Sequence, residues 1–198
     1  MLEAIQNRRS IRKFQKTPLP RAVLEQILKA GTLAPSSKNR QPWQFIVAAG
    51  AEKETVLAAM RDGIQRERDG EPLLPGSRRH LGGAENTLRV MEEAPVTVFV
   101  INPLGGELTG PQTFEERVYE ICNIQSVGAA LENMALAATA LGVGSLWICD
   151  IFFAYPELAA CLDVRGELAA AMAFGYPGES PEARPRKNVN DVTEWRGI

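Results

Sequence analysis

Ala34-Pro35-Ser36-Ser37-Lys38-Asn39-Arg40-Gln41-Pro42-Trp43 is small, polar and twice fixed by proline, and it runs directly into Trp43-Gln44-Phe45-Ile46-Val47. The pattern predicts a loop over 32–41 that feeds a strand. A loop with so many side-chain donors and acceptors can hydrogen-bond a flat heterocycle. The same Ser and Asn residues can equally satisfy their own backbone in a turn, and composition does not choose between the two.

Upstream, Val23, Leu24, Ile27 and Leu28 share one face of a helix expected over 21–30, after the Pro18-Leu19-Pro20 break, with Gly31 as the cap beyond its end. A short helical start over 2–9 leads into Arg8-Arg9-Ser10-Ile11-Arg12-Lys13. Three arginines and a hydroxyl in five positions suit a phosphate, and they suit a solvated basic surface as well. A second cluster, Arg184-Pro185-Arg186-Lys187, carries the same two readings. It lies in a polar tail, 176–198, without helical periodicity.

Downstream, 51–68 reads as a charged, partly exposed helix. Gly70, Pro72, Pro75, Gly76, Gly82 and Gly83 leave 69–83 without a regular element, so 64–93 is a candidate lid, with a short helix over 86–93. Val96 to Ile101 is strand-like, and 103–112 is another loop. From Phe114 to Leu141 runs the longest helix, apolar around much of its middle. It is either the centre of the core or the face of a second copy. Ser145 to Cys149 and Leu168 to Phe174 read as strands on either side of a helix near 156–162. The irregular alternation predicts an α+β fold with one mixed or antiparallel sheet.

With 198 residues, 45% hydrophobic, the chain fits a single domain over 1–198. A formal net charge of −2 supplies no field for nucleic acid, and no run is long and apolar enough for a membrane span. A cytoplasmic protein with no nucleic-acid and no membrane partner is expected. Cys122, Cys149 and Cys161 lack metal or disulfide spacing, and His80 stands alone, so no metal site is expected. A phosphate loop of the GxxxxGK[ST] type is missing, and Gly142-Val143-Gly144 lacks the third glycine of a dinucleotide fingerprint.

Arg8 to Phe14 followed by Ala34 to Trp43 resembles the paired signature of the nitroreductase-like flavoproteins. The similarity continues through Asn123 to Ala130, Leu141 to Ile148, Gly175-Tyr176-Pro177 and the Arg184-Pro185-Arg186 tail. The resemblance implies a central, mostly antiparallel sheet flanked by helices in an intertwined homodimer, with the long helix at the interface and one FMN at each end of it. Arg8, Arg184 and Arg186 would then bind the FMN phosphate, with Arg9 and Ser10 beside it and Arg12 near the pyrimidine edge. Pro35, Ser36, Ser37 and Asn39 would come from the other subunit, and the backbone at Cys149 and Asp150 would lie near N5. Many relatives carry glycine at those last two positions, so Cys149-Asp150 is a departure.

The implied activity is transfer of reducing equivalents from NADH or NADPH to a small conjugated acceptor, such as a nitroaromatic or a quinone. No catalytic acid, base or nucleophile is required, because the flavin carries the hydride and Arg12 tunes it. The alternatives are a flavin-binding sensor without turnover, or a dehalogenating or flavin-fragmenting relative. The apolar run Val127 to Ala138 presents more surface than one short chain is expected to cover, which predicts an obligate dimer.

Overall fold

The computed structural model describes residues 2–106, 108 and 110–197. Four strands, β1 (Gln44–Ala49), β2 (Val96–Asn102), β3 (Gly144–Ile148) and β4 (Glu167–Gly175), form one antiparallel sheet in the order β1-β2-β4-β3. Six helices cover it: α1 (Leu2–Asn7), α2 (Arg21–Thr32), α3 (Ala51–Asp69), α4 (Leu81–Glu93), α5 (Phe114–Ala140) and α6 (Tyr155–Cys161). Strand β2 is buried along its whole length, so its apolar run serves two cores at once. Val96, Val98 and Val100 join α2 and α5 on one face, while Phe99 and Ile101 join α3, α4 and α6 on the other. That alternation is the period of two that a strand imposes.

Strand β3 would be an open edge, but the segment after α1 lies along it. Ser10 bridges Ser145 in parallel, Ile11 N–H donates to Ser145 O (2.9 Å), and Phe14 bridges Pro177 beyond β4. Gly144 permits this close approach, since a Cβ there would stand 2.9 Å from Ile11 Cγ1. Pairing covers the edge and carries the N-terminal arginines to the C-terminal tail.

Three expectations change. Gly31 is not a cap: it is buried inside α2, where a Cβ would meet Met134 Cγ at 2.8 Å, so its role is close helix–helix contact. Gly82 and Gly83 do not break the chain but open α4, which is anchored by the buried Ala84, Thr87, Val90 and Met91. The stretch 64–93 is therefore two helix segments and a connector over 70–80 that includes a 3-10 turn, Pro75–His80. Finally, Val127, Leu131, Met134 and Ala138 of α5 are covered within the single chain by α2 and the sheet. The exposed apolar residues of α5 are Phe114, Val118, Tyr119, Ile121 and Ile124 instead. Sequence periodicity cannot locate α2 in space, so it could not say which half of the helix is covered.

Candidate functional site

The two basic clusters meet. Arg8, Arg9, Ser10, Arg12, Arg184 and Arg186 line one cavity of about 400 Å³ between the end of α1 and the C-terminal tail. The tail is fixed there by short bonds: Glu179 Oε1 accepts from Arg12 N–H (2.6 Å), and Gly178 N–H donates to Lys13 O (2.8 Å). Guanidinium contacts run mainly to backbone carbonyls. Arg9 Nη1 donates to Gln6 O (2.7 Å), Arg12 Nη1 to Ser10 O (3.1 Å), and Arg186 Nη1 to Arg184 O (3.2 Å). Arg8 approaches Glu132 at 3.8 Å, and among the described residues no such ion pair is formed by Arg9, Arg12, Arg184 or Arg186. With Glu182 the one carboxylate among the described residues that line it, the cavity holds an excess of positive charge that an anion would relieve.

Pro35, Ser36, Ser37 and Asn39 do not line that cavity. Their loop rides on α5: Ser37 N–H donates to Ser126 Oγ (3.4 Å), whose own hydroxyl donates to Cys122 O (2.7 Å). Ser36 Oγ accepts from Gln41 N–H (3.0 Å), and Lys38 and Arg40 stand over the Tyr119 ring. Lys38, Asn39 and Gln41 take φ of 52°, 54° and 50°, a left-handed backbone that costs non-glycine residues about 1 kcal/mol or more each. On α5, one turn before Ser126, Asn123 Oδ1 is buried with no hydrogen-bond partner among the described residues. Strain and an unpaired buried acceptor are features that functional sites retain.

Cys149 and Asp150 follow β3, four residues or about 13 Å of strand beyond Ser145, which holds Ser10. Cys149 lines a groove with Trp147, Gly128 and Leu131, where burial and the Asp150 charge push its thiol pKa up. A thiol held protonated is a poor nucleophile. Asp150 accepts from Thr87 Oγ1 (2.5 Å), which ties the turn to α4. Within one chain, then, the arginine cavity, the 35–39 loop and the 149–150 turn are three separate pieces.

Several residues escaped sequence reading. Thr113 caps α5, its Oγ1 accepting from Glu116 N–H (3.2 Å) while the Glu116 carboxylate accepts from Thr113 N–H (2.7 Å) and is held below its ordinary pKa. The Thr-x-x-Glu spacing was the available signal. Glu67 is buried at 2% exposure among backbone donors, and nothing local in the sequence marks it.

Comparison with known proteins agrees with this architecture. A family model described as the nitroreductase family matches residues 5–176. A 5,6-dimethylbenzimidazole synthase of Rhodospirillum rubrum is 31% identical over 183 residues, covering 87% of this chain and 79% of the relative. YfhC of Bacillus subtilis, named for an NAD(P)H nitroreductase activity, is 25% identical over 191 residues, covering 96% and 90%. A BluB-like flavoprotein from Clostridium difficile matches with a TM-score of 0.80 at 26% identity, over 98% of both chains. A nitroreductase-type structure from Desulfovibrio desulfuricans in complex with FMN matches with a TM-score of 0.72 at 25% identity, over 100% and 96%. The chain belongs to the nitroreductase family, a family of oxidoreductases.

Proposed function

We propose that the protein is an FMN-dependent oxidoreductase that takes reducing equivalents from NADH or NADPH and delivers them to a small conjugated acceptor, a nitroaromatic or a quinone. The observation that carries this reading is the arginine cavity, which joins residues 8–12 to residues 184–186 around an uncompensated positive charge. FMN is named in the Desulfovibrio relative and NAD(P)H in the Bacillus one. When bound, the isoalloxazine would supply the redox chemistry, accepting hydride from the nicotinamide and passing the electrons on. Overall, NAD(P)H and a proton are consumed and NAD(P)⁺ released, while a quinone becomes its hydroquinone or a nitro group becomes a nitroso group and water.

The chain's own residues bind and tune. Arg8, Arg184 and Arg186 would hold the phosphate, with Arg9 and Ser10 beside it. Arg12, on the same cavity wall, would stand at the pyrimidine edge, where a fixed cation stabilises developing negative charge. Backbone N–H groups at Cys149 and Asp150 would face N5. Pro35, Ser36, Ser37 and Asn39 would serve the site of a second copy, because their loop lies apart from the arginines in its own chain. The homodimer belongs to this proposal, and the exposed Phe114, Ile121 and Ile124 give it a surface.

The experiment is to identify the flavin in purified protein, then measure NADH and NADPH oxidation against nitroaromatic and quinone acceptors. One FMN per chain and turnover with both acceptor types are expected. FAD, or no flavin after reconstitution, overturns the cofactor. Arg186→Ala should weaken FMN binding by about 1.5–3 kcal/mol, the range for a hydrogen bond to a charged group. The 31% identity to a benzimidazole synthase favours one second reading, fragmentation of the flavin itself. Aerobic incubation with chemically reduced FMN, followed by chromatography for 5,6-dimethylbenzimidazole, separates the two.

A further inference from the structure

A second cavity, about 720 Å³, has chemistry opposite to the first. Leu73, Leu74, Leu108, Phe152, Tyr155 and Val164 line it, and none of its described walls carries a charge. Three stretches distant in sequence build it: the 70–80 connector, the loop before α5, and residues 152–166 between β3 and β4.

The cavity's shape is held by a buried ionic post. Glu67 accepts from the N–H groups of Leu73 (2.7 Å) and Leu74 (3.4 Å). Arg66 pairs with Glu67 and with Glu157 of α6, each at 2.7 Å, and also donates to Phe153 O (3.1 Å). Two segments that supply cavity residues, 73–74 and 152–159, are thus tied through one guanidinium. Charges taken from water at such cost hold their geometry only while every partner is kept. On the inner side, the Phe152 and Tyr155 rings are parallel to within 8° with centroids 6.0 Å apart. Leu73 and Leu108 remain 55% and 48% exposed while lining the cavity, so its approach from solvent is apolar too.

Phe152 also lines the groove that contains Trp147 and Cys149. The apolar cavity therefore adjoins the turn that the proposed function sets beside the reactive ring. A roomy pocket with apolar walls accepts hydrocarbon and offers water few partners. We infer that this cavity holds the apolar substituent of the acceptor, so that the enzyme favours quinones bearing a prenyl chain over the bare ring. The inference rests on the reductase reading above. The quinone takes two electrons and two protons to become the hydroquinone, the electrons coming from NAD(P)H, and the chain is unchanged.

The test compares 2-methyl-1,4-naphthoquinone with its 3-geranyl derivative. Wild-type protein should show a kcat/KM at least about tenfold higher for the geranyl compound, a modest share of what burying ten carbons can contribute. Ala159→Phe, which places a ring inside the cavity, should bring the two substrates near parity while leaving the 2-methyl compound unchanged. Leu73→Ser, at the exposed rim, should lower the preference without a change in fold. Equal kcat/KM in the wild type, or a preference that neither variant moves, overturns the inference and leaves the reductase reading standing. If neither quinone is reduced, the reductase reading fails on its own. Equilibrium dialysis of the geranyl compound then decides the cavity: weaker binding to Ala159→Phe supports it, and equal binding overturns it.

Discussion

The two halves of α5 both carry large apolar side chains and are opposite in fate. Phe114 is 87% exposed and Ile121 43%, whereas Leu131 and Met134 are 1% and 0% exposed. The second half lies between α2 and the sheet, with Gly31 making room for Met134. The first half carries the 35–39 loop at Ser126 and Tyr119, and its remaining apolar residues face solvent. An apolar helix must be covered, but composition does not say by what. Here the chain covers one half itself, and we propose that a second copy covers the other.

The sharpest test of that contrast is Met134→Ala, which should cost about 2–5 kcal/mol in urea unfolding, the range for truncating a fully buried side chain. This loss should not depend on protein concentration beyond any dependence that the wild type itself shows. Ile121→Glu should act oppositely, leaving a folded chain but weakening association by about 1.5–3 kcal/mol, the value of one buried isoleucine. Sedimentation of the variant as the same species as wild type would remove the first half from any interface. If the 35–39 loop serves a second copy, FMN content should fall together with association.

Arg12→Gln is the control for that coupling, since it lies on neither half of α5. It should leave association intact and lower the flavin midpoint potential by roughly 30 mV, equivalent to about 1.4 kcal/mol for two electrons. An unshifted potential in spectroelectrochemical titration would mean that Arg12 does not face the ring. The smallest effect is expected at Glu167, which lines the groove beside Arg117 and Glu120 of the first half. Burial raises its pKa first of all, partly opposed by the hydrogen bond from Asn102. The folded state therefore holds the proton more tightly than the unfolded one. Stability from this group is full below the ordinary carboxylate range and is lost as pH rises through the raised value. Glu167→Gln should show a slightly higher Tm than wild type at neutral pH, with the gap closing in acid. A gap that persists in acid would point to packing rather than charge.

Much of the fold was legible because its signals are local. The apolar run of β2, the α3 pattern and the full extent of α5 were read to within about a residue or two of where they lie. Glycines misled the reading at Gly31, whose meaning depends on Met134 far along the chain, and at Gly82 and Gly83, which sit in a helix anchored by the nearby buried Ala84, Val90 and Met91. Both arginine clusters were visible, yet residues 8–12 and 184–186 meet through contacts distant in sequence, among them the Ser10–Ser145 and Phe14–Pro177 bridges and the Arg12–Glu179 bond. The leucine-lined cavity was invisible, since Leu74, Phe152 and Val164 look like ordinary core residues until the walls are assembled.

The bridge from Lys13 to Gly178 also orders events in time. A ribosome releases residues 8–12 well before residues 181–186, so the arginine cavity has no second wall until the later segment has emerged. Contacts this far apart in sequence close late in folding. If the proposed flavin site is right, a nascent chain without residues 181–186 cannot complete it, and cofactor loading becomes a report that this segment has been made. A stalled or shortened product would stay colourless even with its sheet in place.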